Sequence, residues 1–274
     1  MGALVTFIIP VRHQENSRDW NALKANLAQT VASIAAQTDK RWRAIVVANH
    51  GADLPTLPEG FEVVRVDFPP NRLHEQNGVD IERFWDAVRL DKGRRILAGM
   101  LHARDTQFFM ISDDDDCVSH RIVEYVAGHQ DSNGWRIDKG YVWGDGGRVI
   151  ITHDDFSNFC GTSLIIRKDL YQLPSDFSGA TESYIKDMLG SHVRIAKLLA
   201  ERGTPLSSLP FRGAIYRVGH AGSHSKSRNI LRMYIFNREN LIRPRRLIAN
   251  LLRIRWRTPA IDHAYFATPE KKRA

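Results

Sequence analysis

The chain of 274 residues is poor in cysteine and has no long apolar run. Its two cysteines, Cys117 and Cys160, are too few for a disulfide scaffold or a four-thiolate zinc site. No stretch approaches the roughly 18 apolar residues of a membrane-spanning helix. The apolar run 3–9 is too short for a signal peptide and lacks a charged leader. These absences predict a cytoplasmic protein.

Acidic residues are scarce near the C-terminal end. From Arg228 onward there are 12 Lys and Arg against 3 Asp and Glu, whereas the preceding residues are close to neutral. Leu, Ile and Trp alternate with the arginines, which predicts amphipathic helices. The segment fits an element that is peripheral on the inner face of an anionic membrane, or a helical cap or homodimer surface. Nucleic-acid binding is disfavoured by the neutral body. We therefore divide the chain into a body, 1–227, and a basic C-terminal extension, 228–274.

The first half of the body alternates short apolar runs with helical patterns, as strand, crossover helix and parallel strand require. Strands are predicted at 4–9, 42–48, 62–66 and 108–111, and helices over 20–34 and 81–103. Shorter strands are predicted at 141–143, 149–152, 164–166 and 215–218, with a helix at 192–201. The pattern predicts an α/β fold in which the polar segments after the first, second and fourth strands converge on one cleft.

Four consecutive aspartates, Asp113 to Asp116, follow the fourth strand. Clustered carboxylates repel one another, and they commonly bind a hard divalent cation, which prefers oxygen ligands. The alternative is a solvated acidic turn, but the apolar strand before the run delivers it into the predicted cleft.

The order of motifs resembles a GT-A glycosyltransferase of the family 2 type. The segments that carry the resemblance are FIIPVRHQEN (7–16), IVVANHG (45–51), KGRRILAGMLHAR (92–104) and FFMISDDDD (108–116). NFCGTSLIIRKDLY (158–171), SHVRIAKLLAERG (191–203) and YRVGHAGSHSKS (216–227) are similar to later parts of the family pattern. The resemblance implies a Rossmann-like, three-layer α/β/α fold with a mixed, mainly parallel sheet, followed here by a helical basic extension.

The family's Asp-x-Asp motif implies a nucleotide-sugar donor and a Mn²⁺ or Mg²⁺ ion. Asp115 is then the metal ligand and Asp113 lies nearer the ribose or the metal-bound water. Asp116 either supports these residues without touching the ligand or contacts the sugar. Asp114 and Asp116 form an equally valid pair, so the register stays open. A further metal ligand or diphosphate contact is implied at His220, with His224 as its competitor.

For the nucleotide, the resemblance implies contacts after the first two strands and from the following helix. The residues so placed are Pro10, Val11, His13 and Asn49, together with Lys92 or Arg95 at the head of that helix. Family members usually carry Asp or Glu near the position of Asn49, which leaves the expected preference for a UDP-sugar open.

The catalytic base is the main departure from the family pattern. Many inverting members carry Glu-Asp before a helix, where this chain has Ser191 and His192. His192 is able to act as a base near neutral pH, and Glu182 and Asp187 are the alternatives. If none of them is a base, a retaining mechanism is expected instead of the favoured inversion.

These observations predict a metal-dependent glycosyltransferase with a glycan or lipid-linked acceptor, in surface polysaccharide synthesis. The alternatives are a sugar nucleotidyltransferase, whose Gly-rich N-terminal signature is absent, and a non-catalytic adaptor that binds a cation together with a membrane or nucleic acid.

Overall fold

Two β-sheets and the helices packed on them form the fold in the computed structural model, which describes residues 2–73, 80–219, 230, 234, 235 and 242–268. The strands are β1 Ala3–Pro10, β2 Trp42–Asn49, β3 Phe61–Val66, β4 Thr106–Ile111, β5 Cys117–Val118, β6 Gly134–Arg136, β7 Gly140–Gly144, β8 Val149–His153, β9 Leu164–Arg167, β10 Ser207–Ser208, β11 Ala214–Val218 and β12 Ile254–Trp256. The helices are α1 Trp20–Ala35, α2 Ile81–His102, α3 Ile122–Ala127, α4 Glu182–Tyr184, α5 His192–Glu201, α6 Pro244–Leu251 and α7 Pro259–Phe266, with a π-helical turn at Ile185–Leu189 and 3-10 turns at Gln14–Asn16, Phe156–Asn158 and Lys168–Tyr171.

Side-chain caps fix where the main helices begin. Asp19 accepts a hydrogen bond from the backbone N–H of Ala22 at 2.9 Å before α1, and Asp80 accepts one from Glu82 at 2.9 Å before α2. Ser191 accepts one from the N–H of Arg194 at 3.3 Å before α5. Each cap satisfies a backbone donor that the first helical turn leaves without a partner.

The larger sheet has the strand order β3-β2-β1-β4-β9-β6-β10 within the described residues. Strands β1 to β4 are parallel to one another, and β9 runs antiparallel to β4. Alternating side chains of β1 face opposite layers: Phe7 packs with α1 and α3, whereas Ile8 packs with α2 and α5. The predicted three-layer α/β/α architecture with a mainly parallel sheet is therefore confirmed.

The smaller sheet, in the order β12-β8-β7-β11-β5 over the described part of the chain, was not predicted as a separate unit. The extension supplies its edge strand β12, so it contains a strand as well as helices. Tyr265 of α7 is buried with Trp143 of β7. The boundary expected at 227/228 lies outside the described residues. Within the described ranges, no helix combines the length and apolarity needed to cross a bilayer.

Candidate functional site

A cleft of about 670 Å³ opens beyond the carboxyl ends of β1 and β4. Ser112, the first residue after β4, donates its N–H to the carbonyl of Ile8 at 2.9 Å, which keeps the two strand ends together. Parallel strands place their carboxyl ends at one edge of a sheet, where open α/β folds bind ligands. The lining comprises Pro10, Arg12, Asn71, Trp85, Val88, Arg89, Asp91, Lys92, Arg95, Asp113, Asp114, Asp115, Asn158, Phe159, Gly161, Gly190, Ser191, His192, Val193, Arg194 and Tyr216.

The aspartate run divides between the cleft and the core. Asp113, Asp114 and Asp115 line the cleft, whereas the side chain of Asp116 is fully buried. Asp116 accepts hydrogen bonds from the Thr162 hydroxyl at 2.6 Å and from the backbone N–H of Arg217 at 3.2 Å. Burial, and then the charges of Asp115 and Asp113, raise the pKa of Asp116 well above its usual value of 3.8.

Asp116 therefore ties the turn to neighbouring strands and does not line the cleft. This placement agrees with the supporting role and not with contact to the sugar, because the carboxylate oxygens already accept bonds from Thr162 and Arg217.

Lys92 forms an ion pair with Asp113 in the cleft. Burial alone would lower the pKa of Lys92, but the charge and hydrogen bond of Asp113 outweigh it and raise the pKa above 10.5. Gly161 leaves the space for this pair, because a Cβ there would lie 2.5 Å from Asp113 Oδ2 and 2.8 Å from Lys92 Nζ. On the other side, a guanidinium nitrogen of Arg12 lies 4.0 Å from Asp114. Cations and carboxylates thus alternate along the cleft.

Arg95 is buried and held by side chains on both sides. Its Nη1 donates to Asn49 Oδ1 at 2.7 Å, while Nε and Nη2 donate to the two carboxylate oxygens of Asp91 at 3.2 Å. Asn49 in turn donates to the carbonyl of Phe68 at 2.7 Å. Asn49 is 3% exposed and does not line the cleft, so the structure assigns it to positioning Arg95, in place of the expected contact with the base.

The expectation that Lys92 and Arg95 lie at the head of a helix is wrong. Helix α2 begins at Ile81 under the Asp80 cap, which puts both residues in its middle. Gly93 lies between them, and a Cβ there would approach the carbonyl oxygen of Ile185 to 2.5 Å. This close approach packs α2 directly against the turn that precedes α5.

His192, the first residue of α5, lines the cleft. A hydrogen bond to the Asn158 backbone engages one ring nitrogen, and Nε2 is buried without a hydrogen-bond partner. Burial, and then the positive charge of Lys92, lower the pKa of His192 from 6.5 to about 4. The ring is therefore neutral at physiological pH. Because the other ring nitrogen donates to the Asn158 backbone, Nε2 carries the lone pair.

The two alternative bases lie away from the cleft lining. Glu182 is 63% exposed and pairs with Lys186 at 2.6 Å, and Asp187 pairs with Arg194 at 2.6 Å. Neither carboxylate lines the cleft. Both belong to the ion pairs of the segment that leads into α5, so their placement does not support a role as base.

Of the residues expected near the nucleotide after β1, only Pro10 lines the cleft. Val11 is fully buried in the core. His13 caps the next turn, because its Nδ1 accepts the N–H of Glu15 at 3.1 Å. His220 and His224 lie outside the described residues.

Several cleft residues were not singled out from the sequence. Arg12 and Asn71 lie in loops, Trp85 is on α2 and Tyr216 is on β11. Tyr216 contacts Phe159, another residue of the lining, edge to face, with ring centroids 5.0 Å apart. No sequence signal distinguishes a cleft aromatic from a core one.

The carboxylates of the cleft are the candidate ligands for a divalent metal. In the described part of the chain, no three His, Cys, Asp or Glu side chains form a complete metal-binding cluster. Asp113 and Asp115 nevertheless fit the common arrangement in which one or two carboxylates hold Mg²⁺ and substrate phosphates and water complete the shell. Their oxygens are hard donors, which also suits Mn²⁺. A metal ion would share Asp113 with Lys92.

A second, open depression of about 1080 Å³ lies at the opposite end of the larger sheet. Its arginines are engaged by acidic neighbours, Arg43 by Asp105 and Arg167 by Asp169. It lies at the amino ends of the parallel strands, whereas open α/β folds bind their ligands beyond the carboxyl ends.

No family model matches the chain, and no curated protein matches it. Among solved structures, residues 1–349 of S. aureus TarS match at a TM-score of 0.45 and 13% identity, over 79% of this chain and 60% of that one. A longer TarS structure matches at 0.42 and 14%, over 80% of this chain and 37% of that one. Rv0371C from Mycobacterium tuberculosis H37Rv, solved in complex with manganese, matches at 0.36 and 10%, over 79% and 92%.

The chain thus spans less than two thirds of either TarS structure. At these scores and identities the matches carry no weight for function, which is inferred from the cleft. The observed three layers and mainly parallel larger sheet agree with the fold that the sequence resemblance implied.

Proposed function

We propose that this protein is a glycosyltransferase that moves a sugar from a nucleotide-sugar to a hydroxyl of a glycan or lipid-linked acceptor. A UDP-sugar is the first donor to test. One observation carries the proposal: strand β4 delivers Asp113, Asp114 and Asp115 into a cleft that Arg12 and Lys92 also line. Such a surface suits a diphosphate bound together with a divalent cation. Synthesis of a surface polysaccharide is the process to which we assign it.

The cations of the cleft stabilise the departing diphosphate. As the bond between the anomeric carbon and the diphosphate oxygen breaks, negative charge grows on the phosphate groups. Lys92 is charged, since Asp113 keeps its pKa above 10.5, and its ammonium group is shared between Asp113 and the phosphate. Arg12 supplies a second positive charge. When bound at Asp113 and Asp115, Mg²⁺ or Mn²⁺ adds Lewis-acid stabilisation of the same charge.

His192 is the proton acceptor in this proposal. The acceptor hydroxyl attacks the anomeric carbon as the diphosphate leaves, and its proton moves to Nε2 of His192, with inversion at that carbon. A pKa of about 4 makes the free imidazole a weak base. A bound diphosphate brings negative charge into the cleft, which raises that pKa towards the working range.

The test of donor binding is the thermal unfolding midpoint with UDP-, GDP-, dTDP- and CMP-sugars, each with and without Mn²⁺. A ligand at 100 times its dissociation constant stabilises by about 2.7 kcal/mol, or roughly 5–11 °C at this chain length. Asp115→Asn is expected to abolish the metal-dependent part of the shift. Asp131→Asn, an exposed carboxylate outside the cleft lining, is the matched control and is expected to behave as the parent.

The test of chemistry is turnover of the donor that binds. His192→Gln is expected to lower kcat by about 10²–10⁴-fold while the donor-induced midpoint shift stays. His50→Gln, at an exposed histidine, is the control. Pyrophosphate release from a nucleoside triphosphate and a sugar phosphate would replace the proposal by a nucleotidyltransferase. Binding of no nucleotide-sugar by folded protein would refute it.

A further inference from the structure

The exposed apolar side chains of this protein are concentrated near its C-terminal end. Among the described residues, ten large apolar side chains are exposed, and five of these fall within 242–256. Together with the arginines around them they are called here the C-terminal patch. Its apolar members are Ile242 (68% exposed), Ile248 (57%), Leu251 (47%), Leu252 (70%) and Trp256 (67%). Grouped apolar exposure of this kind marks an interaction surface.

The opposite face of α6 fixes the orientation of the patch. Asn250 is buried and donates its side-chain N–H to the carbonyl of Tyr234 at 2.9 Å. Leu247 packs on the cluster beneath the smaller sheet, and β12 pairs with β8 in the register Ile254 to Ile151. With these residues facing the body, Ile248 and Leu252 face away from it, so their exposure belongs to the folded arrangement.

The charge of the patch selects its occupant. Residues 242–257 contain six arginines and no Asp or Glu, and Arg243, Arg245 and Arg255 are among the exposed ones. A second copy of this chain would bring like charges together, which opposes self-association. Phosphates of a nucleic acid would pair with the arginines but leave the apolar side chains in water. An anionic bilayer satisfies both, since lipid phosphates take the arginines and acyl chains take Leu, Ile and Trp.

We propose that the C-terminal patch docks the protein on the surface of an anionic lipid bilayer. Leu247 and Ile254 pack on the cluster that also contacts Phe159 and Tyr216, and both aromatics line the cleft. The cluster beneath the patch therefore also supports a wall of the cleft. This surface goes beyond the proposed function, since lipid binding requires no sugar transfer.

The test is sedimentation of the full chain with two kinds of vesicle. One contains phosphatidylcholine alone, and the other also contains about 30% phosphatidylglycerol, which is anionic. Binding is expected only to the anionic vesicles and is expected to weaken as salt rises. Replacing Arg243 and Arg245 by Gln is expected to lower the partition coefficient about 30-fold, at roughly fivefold for each arginine. Leu252→Ser with Trp256→Ser is expected to lower it about tenfold or more, through lost apolar burial.

Two controls separate docking from general charge and from misfolding. Lys40→Gln with Lys197→Gln removes the same charge from exposed positions outside the patch. Binding is expected to stay within about twofold, because neither lysine belongs to the docking surface and exposed charges are screened by salt. In the intact chain, brominated acyl chains are expected to quench tryptophan fluorescence, and Trp256→Phe is expected to remove that quenching.

Equal binding to both vesicle types, no binding to either, or an equal loss in the lysine control would overturn the proposal. Sedimentation equilibrium that shows a dimer abolished by the Leu252 and Trp256 changes would overturn it in favour of a second copy. Because none of these measurements needs a nucleotide-sugar, failure here is distinguishable from failure of the glycosyltransferase proposal.

Discussion

Replacing Arg95 by Met tests whether the buried hydrogen bonds under the cleft stabilise the fold. Methionine keeps most of the aliphatic volume but removes the guanidinium group, which is 1% exposed and bonds to Asn49 and Asp91. The change leaves the side-chain Oδ1 of Asn49 buried without its donor. Among the described residues, the Asp91 carboxylate, 13% exposed, then keeps a 3.6 Å contact to Arg94 as its ion pair. Breaking a buried ion pair from one side costs about 3–5 kcal/mol.

We take the lower end of that range because Asp91 retains some solvent. About 3 kcal/mol lowers the unfolding midpoint by roughly 6–12 °C for a chain of this length. Arg94→Met is the matched control, because the neighbouring side chain is 25% exposed and lies 3.6 Å from Asp91, with its guanidinium 5.0 Å from the centre of the Phe68 ring. Arg94→Met is expected to lower the free energy of unfolding by about 1 kcal/mol or less.

The assay is thermal unfolding followed by far-ultraviolet circular dichroism. A third variant, Asn49→Ala, removes the acceptor that Arg95→Met leaves without a donor. In that background, Arg95→Met is expected to lower the free energy of unfolding by about 1–3 kcal/mol less than in the parent. If Arg95→Met lowers the midpoint no more than Arg94→Met does, the buried network does not support the cleft as described. Donor binding should suffer less from Arg95→Met than from Lys92→Met, because the Arg95 guanidinium is already engaged.

Three further predictions concern the same region. Gly161→Ala is expected to displace the Lys92–Asp113 pair and to weaken donor binding about tenfold or more. The unfolding midpoint of the free protein should not fall, since only flexible side-chain ends must move. An unchanged donor titration would contradict this prediction. Gly93→Ala is expected to destabilise by about 1–3 kcal/mol in urea unfolding, because its Cβ meets the Ile185 carbonyl, whereas Gly128→Ala, with 3.7 Å of clearance, should not. The low pKa of His192 disfavours its protonation in the folded state, so its contribution is lost as pH falls from 6.5 towards about 4, and His192→Gln should flatten the pH dependence of the midpoint in that window; a parallel decline in parent and variant would refute it.

The sequence alone determined the main elements of the larger sheet and the place of the cleft. Helix α2 was predicted at 81–103 and is observed at Ile81–His102, and the strand predicted at 108–111 is contained in β4, because apolar periodicity and caps are local properties of the chain. The aspartates at the end of β4 could likewise be predicted to enter a cleft, since parallel strands share one carboxyl edge.

Only the tertiary structure decided which side chains face the cleft. Asp115 and Asp116 are adjacent in sequence, yet Asp115 lines the cleft and Asp116 is buried against Thr162 and Arg217. These partners of Asp116, and Cys160 with them, are distant in sequence, so no local pattern reveals them. Asn49 was assigned to the ligand and instead bonds to Arg95. A residue's type and spacing set what it is able to bind, but long-range packing sets whether a ligand or the protein itself is its partner.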